Sequence, residues 1–147
     1  MLDTNAFNRA LDSGIDPSSL ARRGPLFVTH IQFNELQATA RTERLHQLLA
    51  FFASVDQEKI PTAAAVWNVS EWGGAEWGSA GGHYDAMLAS LNRRNANKKN
   101  NVQDILIAIT ASKHRYTLVT DDGDLASMLL EFGGTTETFE EFCRHAC

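Results

Sequence analysis

The chain has 147 residues, of which 44% are hydrophobic and 21% charged. We therefore expect a single domain over residues 1–147 with a sizeable core, and this composition excludes a disordered chain. The net charge of −5 argues against a protein that binds nucleic acid over a broad basic surface. A pocket of clustered acids that binds cations would itself supply several of those negative charges.

The sequence gives no indication of secretion or of a membrane span. Leu2 and Asp3 follow Met1 with no basic start, and no apolar stretch approaches the roughly 20 residues that a span requires. The two cysteines, Cys143 and Cys147, are too few for a zinc site and too clustered for a disulfide scaffold. We interpret them as free thiols and expect a cytoplasmic protein with no membrane partner.

The first half of the chain alternates short apolar strands with helices. Residues 2–7 are predicted to run from the end of a strand into a helix. Leu26–Val28 is predicted to be a strand, and Thr29 with Gln32 has the pattern of a capping box at the start of the next helix. Residues 59–61 indicate a weak further strand.

The second half continues the alternation after an unusual segment. Trp67, Trp72 and Trp77 recur every five residues, a period of neither helix nor strand, so we expect a loop or broken helix there. These tryptophans are core or protein-contact anchors, or else they stack unpaired bases. The elements predicted beyond them are a helix over 84–91, a helix over 102–112, a strand over 116–120, a helix over 125–132, a strand over 135–139 and a helical tail.

This order predicts an α/β fold with a parallel sheet covered by helices on both faces. Ligands of such sheets bind at the carboxyl ends of the strands. Asp3 and the pair Asp121–Asp122 end predicted strands, and Glu35 and Asp104 lie in the first turns of helices that could open on the same side. The sequence therefore predicts one acidic pocket.

Separated carboxylates in one pocket are typical of Mg²⁺ or Mn²⁺ sites that hydrolyse phosphate esters. Each acid also has a purely structural role open to it. Asp3 could cap the turn that follows, Glu35 could be solvated on a helix, and Asp104 could complement a helix dipole. Asp122 or Asp124 could cap the helix that begins near Leu125.

The order of these motifs resembles a PIN domain, and within that family it is most similar to the VapC-type toxins of bacterial toxin–antitoxin pairs. The resemblance covers nearly the whole chain and rests on four pieces: Asp3-Thr4-Asn5, Thr29 with Asn34-Glu35-Leu36, Asp104-Ile105-Leu106-Ile107-Ala108, and Leu118-Val119-Thr120-Asp121-Asp122-Gly123-Asp124-Leu125.

The resemblance implies a three-layer sandwich with a central parallel β-sheet, and a metal-dependent endoribonuclease. The family's four acids fall on Asp3, Glu35, Asp104 and Asp122. Asp121 and Asp124 could share or take the last role, and the family's small polar neighbours match Thr4, Asn5 and Thr120. The family also implies an RNA substrate, for which tRNA is one candidate, together with a homodimer and a cognate antitoxin that inserts into the active-site groove.

One basic cluster lies just before Asp104 and could bind RNA phosphates beside the site: Arg93, Arg94, Lys98 and Lys99. The same residues could equally form a solvated helix end.

The sequence leaves two other functions open. One is a PIN-like module that binds RNA or protein without cutting. The other is a phosphohydrolase with Asp3 as nucleophile, although Asn5 stands where that chemistry commonly wants a second acid.

Overall fold

Helices and parallel strands alternate along the chain in the computed structural model, which describes residues 1–22, 24–40, 42–55, 57–63 and 81–144. The elements in these ranges are α1 (Thr4–Asp12), α2 (Pro17–Ala21), β1 (Leu26–Val28), α3 (His30–Gln37), α4 (Thr42–Ser54), β2 (Gln57–Lys59), α5 (Gly81–Asn95), α6 (Asn101–His114), β3 (Thr117–Val119), α7 (Gly123–Glu131), β4 (Thr135–Glu137) and α8 (Phe139–Arg144). None of the helices in the described ranges is long and apolar enough to cross a membrane.

The regular strands form two parallel pairs, β1 with β2 and β3 with β4. The segment Met1–Asp3 lies between these pairs and joins them. Leu2 N donates to Phe27 O at 3.3 Å on one side, and Asp3 N donates to Val119 O at 3.0 Å on the other. Leu2 also forms a parallel bridge with Val119. This short segment therefore occupies the middle of the sheet and fixes where Asp3 lies.

Both faces of this sheet are covered, as the alternation of side chains shows. Leu118 belongs to a core shared with α5, α6 and α7, whereas the next residue, Val119, belongs to a core shared with α1, α2, α4 and α8. Met1 and Leu2 divide between the same two cores in the same way. Successive side chains of a strand point to opposite faces, so the predicted α/β arrangement of helices on both sides of a parallel sheet is confirmed.

Local capping signals set most helix starts. Asp16 caps α2 with Pro17 at the first helical position, and Thr29 and Gln32 form the predicted capping box of α3. Two strand predictions were displaced: β2 covers Gln57–Lys59, two residues before the predicted position, and Phe139 begins α8 instead of ending β4. The predicted loop with Trp67, Trp72 and Trp77 lies outside the described residues.

Helix α6 runs through the interior and carries Asp104 into it. Every residue from Asp104 to Ala111 is buried, so the apolar part of this helix faces neighbours on all sides. The helix ends at Arg115, whose φ of 58° is left-handed. A helix buried in this way cannot shift easily, which makes it a rigid support for the acid in its first turn.

Candidate active site

Four acids from four different elements come together at the carboxyl edge of the sheet. Asp3 follows the central segment and caps α1, and Asp122 follows β3 and caps α7. Asp104 lies in the first turn of α6. Glu35 lies in the second turn of α3, not in the first turn as predicted, because α3 already begins at His30. The charges of the other three raise the pKa of Asp104, so the four acids share one electrostatic environment.

Asp3 is the most enclosed of the acids, with 3% of its surface exposed. Its Oδ1 accepts from Thr4 N at 2.7 Å and its Oδ2 accepts from Thr120 Oγ1 at 2.9 Å. Burial raises the pKa of Asp3, these two hydrogen bonds oppose the rise, and the charges of Asp122 and Asp121 add to it. Asp3 is therefore a helix cap and a site acid at once.

Thr4 connects Asp3 to Glu35. Its backbone N–H binds Asp3, and its hydroxyl donates to Glu35 Oε2. Burial raises the pKa of Glu35, the bond from Thr4 opposes the rise, and the charge of Asp3 adds to it. The small polar residue beside the first acid thus orients two carboxylates.

Asp104 is buried, and the charges of the other three acids act on its pKa. Burial, followed by the charges of Asp3, Glu35 and Asp122, raises its pKa from 3.8 to about 8, while Lys98 acts in the opposite direction. Burial is the largest cause of this rise, and the neighbouring carboxylates add to it, so a positive charge bound nearby would favour the ionised form of Asp104. Such a place favours a bound cation.

The three acids after β3 have different surroundings. Asp122 Oδ1 accepts from the backbone N–H groups of Asp124 and Leu125 at 3.0 Å each, and Oδ2 accepts from Lys98 Nζ at 3.3 Å. Burial acts to raise the pKa of Asp122, but the bonds from Leu125, Lys98 and Asp124 outweigh it and the pKa is lowered. The charges of both Asp122 and Asp121 act on the pKa of Asp3, and that of Asp122 also acts on the pKa of Asp104.

Both carboxylate oxygens of Asp121 have partners within the protein, although Asp121 also lines an open cavity beside the acids. Its Oδ2 pairs with Arg9 Nη1 at 2.9 Å, and its Oδ1 accepts from Phe139 N at 3.0 Å at the start of α8. Arg9 is a residue that sequence reasoning missed. It lies four residues after Asn5 on α1, and residues at this spacing share a helix face, which is the signal that could have indicated it.

An open cavity of about 490 Å³ lies beside these acids and is lined by Asn5, Lys98, Asp121, Asp122, Gly123 and Asp124. Asp3 and Asp104 are buried. Of the four predicted phosphate-binding residues, Lys98 reaches the site, whereas Arg94 pairs with Glu131 at 2.8 Å and Arg93 and Lys99 are exposed. Of the four acids, Asp122 is the one that lines this cavity, and Lys98 is the cationic side chain on its wall.

A divalent cation requires several oxygen ligands close to one another. Mg²⁺ and Mn²⁺ prefer oxygen ligands, and Asp3, Glu35, Asp104 and Asp122 supply carboxylate oxygens with excess negative charge. Within the described ranges, no three His, Cys, Asp or Glu side chains stand close enough together to hold a metal ion. The oxygen chemistry of these carboxylates suits a divalent cation, and their side chains would have to move closer together to form its ligand set.

The chain matches no protein-family model and no curated protein. Six chains of solved structures match it. One belongs to the crystal structure of VapBC2 from Rickettsia felis bound to a DNA fragment from their promoter. The match has a TM-score of 0.56 and 21% sequence identity, and it covers 94% of this chain and 96% of that one. The likeness shows a shared fold over nearly the whole length and agrees with the PIN-like fold predicted from the sequence.

Proposed function

We propose that the chain is a Mg²⁺- or Mn²⁺-dependent endoribonuclease and the toxin of a type II toxin–antitoxin pair. The observation that carries this proposal is the arrival of Asp3, Glu35, Asp104 and Asp122 from four separate elements at one edge of the sheet. Thr4 links Asp3 to Glu35, and Thr120 links Asp3 to the backbone of Asp122. Four acids with purely structural roles would have no reason to lie at the same edge of the sheet, because placing like charges near one another costs free energy.

In this proposal the four carboxylates would hold the cation directly or through water, and Thr4 and Thr120 would keep Glu35 and Asp3 in position. A bound divalent cation would polarise the RNA phosphate and make hydroxide available near neutral pH. Lys98, on the cavity wall, would contribute positive charge where the RNA backbone enters. No side chain of this site is required as a nucleophile.

The proposed partners follow from the same comparison. The similar structure is described as VapBC2 bound to promoter DNA, which supports a cognate antitoxin as a partner protein of this chain. We also propose a homodimer and an RNA substrate, with tRNA as one candidate. Selectivity for a tRNA would come from its shape and its exposed loop bases.

The test is cleavage of total RNA by purified protein with Mn²⁺, with Mg²⁺ and with EDTA. We expect discrete fragments that require the cation and disappear in Asp104→Asn. Asp85→Asn is the matched control, because Asp85 is exposed on α5 and the substitution removes the same charge. Equal cleavage by the wild-type and Asp104→Asn proteins would contradict the proposal.

One observation favours a second candidate, a module that binds RNA or protein without cutting. In the parts of the chain that the structure describes, the acids do not converge on one point. Uptake of Mn²⁺ without turnover of varied RNAs would support this candidate. The phosphohydrolase alternative is disfavoured by Asn5, which stands where that chemistry commonly wants a second acid. A phosphoryl group trapped on Asp3 would restore that alternative.

A further inference from the structure

Lys98 binds the oxygen of Asp122 that the local fold leaves available to a ligand. Asp122 Oδ1 is committed to the start of α7, where it accepts from two backbone N–H groups. The other oxygen, Oδ2, accepts from Lys98 Nζ at 3.3 Å. An ammonium group therefore stands at the carboxylate oxygen that a cation would use.

The backbone that carries Lys98 is held in place from both ends. Ala96 and Asn97 adopt left-handed φ values of 56° and 61°, and Lys98 O accepts from Asn101 N at 3.2 Å. The buried side chain of Asn101 donates to Asn92 Oδ1 at 2.6 Å and exchanges hydrogen bonds with Asn95 at 2.8 Å. The position of Lys98 beside Asp122 is therefore part of the fold of this loop.

The neighbouring basic residues do not share this contact. Arg94 pairs with Glu131 on α7, and Arg93 and Lys99 are exposed. Among these basic residues, all within the described range 81–144, the ion pair with a site acid belongs to Lys98. Proximity in sequence to Asp104 thus does not by itself bring a basic side chain to the acids.

We propose that Lys98 is a built-in counter-ion of the acidic site, which occupies Asp122 Oδ2 in the metal-free protein and leaves it when a divalent cation binds. This inference rests on the proposed function, because it assumes that Asp122 is a cation ligand. It adds a regulatory element: the protein carries its own competitor for the cation.

The strength of the pair suits this role. Half of the Lys98 side chain is exposed and Asp122 is 20% exposed, and pairs of partly exposed charges are weak and easily screened. Lysine has a long flexible stem, so its ammonium can move into the open cavity without any movement of the backbone. A dication held by several carboxylates therefore displaces Lys98, and Lys98 weakens the binding of that dication.

The test measures the affinity for Mn²⁺ alone, with no RNA present. Protein freed of metal by EDTA and desalted is titrated with Mn²⁺, and free Mn²⁺ is followed by electron paramagnetic resonance. We expect Lys98→Ala to bind Mn²⁺ about three- to tenfold more tightly than the wild type, because the competing charge is gone. Lys99→Ala removes the same charge from the next position, and its Mn²⁺ affinity should stay within about twofold of the wild type, because Lys99 is exposed and not held against Asp122.

The outcomes of this titration test the inference about Lys98 separately from the proposed cation site. Tighter binding by Lys98→Ala and not by Lys99→Ala supports the inference, and so does binding that appears only in Lys98→Ala. If the wild type binds Mn²⁺ and Lys98→Ala binds it equally or more weakly, the inference is overturned while the proposed cation site stands. If neither protein binds Mn²⁺, the proposed cation site itself fails, and the inference fails with it.

Discussion

The hydroxyl of Thr120 lies 2.9 Å from Oδ2 of Asp3, although 117 positions separate the two residues in the sequence. The same hydroxyl oxygen accepts from Asp122 N at 3.1 Å. Thr120 is buried, and it therefore connects the acid that follows the central segment of the sheet to the acid that follows β3. The polar residue next to the last acid acts as a spacer that sets the positions of both.

Replacing Thr120 with valine should weaken both the fold and the site. Valine fills a similar volume but has no hydroxyl, so Asp3 Oδ2 and Asp122 N lose their buried partner. We expect a loss of about 1–3 kcal/mol in the free energy of unfolding, measured with urea. The pKa of Asp3 should rise further, since the bond from Thr120 lowers it. Thr120→Ser retains the hydroxyl and is the control; a valine variant as stable as the serine variant would contradict this account.

The sequence was sufficient to predict the fold class because the signals that set it are local. Asp16 before Pro17, and Thr29 with Gln32, mark helix starts through contacts within one turn. Alternation of short apolar strands with helices then favours a parallel sheet. The exact bounds of β2 were not predictable, because Gln57–Lys59 is a polar, largely exposed strand that is held by pairing with β1 and not by its own composition.

The acids could be placed at one edge of the sheet from their positions at the ends of elements. The resemblance placed the fourth acid on Asp122 and left Asp121 and Asp124 open, and no local pattern decides among the three. The partners that occupy the two oxygens of Asp121, Arg9 and the N–H of Phe139, lie far from it in sequence. The contact of Lys98 with Asp122 depends in the same way on a loop conformation that no local pattern specifies.

Asp104 should make the metal-free protein less stable as the pH rises. Its pKa in the folded state is about 8, against 3.8 for the ordinary group. Below pH 3.8 the residue is protonated in both the folded and the unfolded chain and has no effect. Between pH 3.8 and about 8 the unfolded chain releases this proton while the folded chain retains it, so the free energy of unfolding falls with pH and levels off above about 8.

Asp104→Asn should remove this pH dependence. In EDTA we expect the variant to have a higher Tm than the wild type at pH 8 and a similar Tm at pH 4, with about 2–4 °C of difference for each kcal/mol. Differential scanning calorimetry across this range measures the gap. Asp85→Asn, whose exposed carboxyl group has no such environment, should show no widening gap. A wild type as stable as Asp104→Asn at pH 8 would refute a raised pKa of Asp104 in the folded protein.

Substitutions at Asp122 and Asp121 should separate cation binding from stability. Asparagine caps helices about as well as aspartate does, so Asp122→Asn should keep α7 intact and change stability by less than about 1 kcal/mol. It should nevertheless bind Mn²⁺ at least about tenfold more weakly, because a charged ligand is lost.

Asp121→Ala should show the opposite pattern. It removes the partner of Arg9 and the acceptor for Phe139 N, so it should lower the free energy of unfolding by about 1–2 kcal/mol and reduce Mn²⁺ affinity less than Asp122→Asn does. Urea unfolding and Mn²⁺ titration of both variants give the comparison. A larger loss of Mn²⁺ affinity in Asp121→Ala would identify Asp121 as the fourth acid.

The side-chain amide of Asn101 should contribute more to the free energy of unfolding than the side-chain amide of its neighbour Asn100. Asn101 is 2% exposed and its side chain bonds to Asn92 and Asn95, which ties the start of α6 to the end of α5. Asn100 is exposed, and at the N-cap of α6 its side chain makes no capping hydrogen bond. Asn101→Ala should therefore cost about 1–3 kcal/mol in urea unfolding, because amide partners are left unpaired. Asn100→Ala should cost well under half as much, and equal losses in the two variants would show that the asparagine network does not hold the loop that carries Lys98.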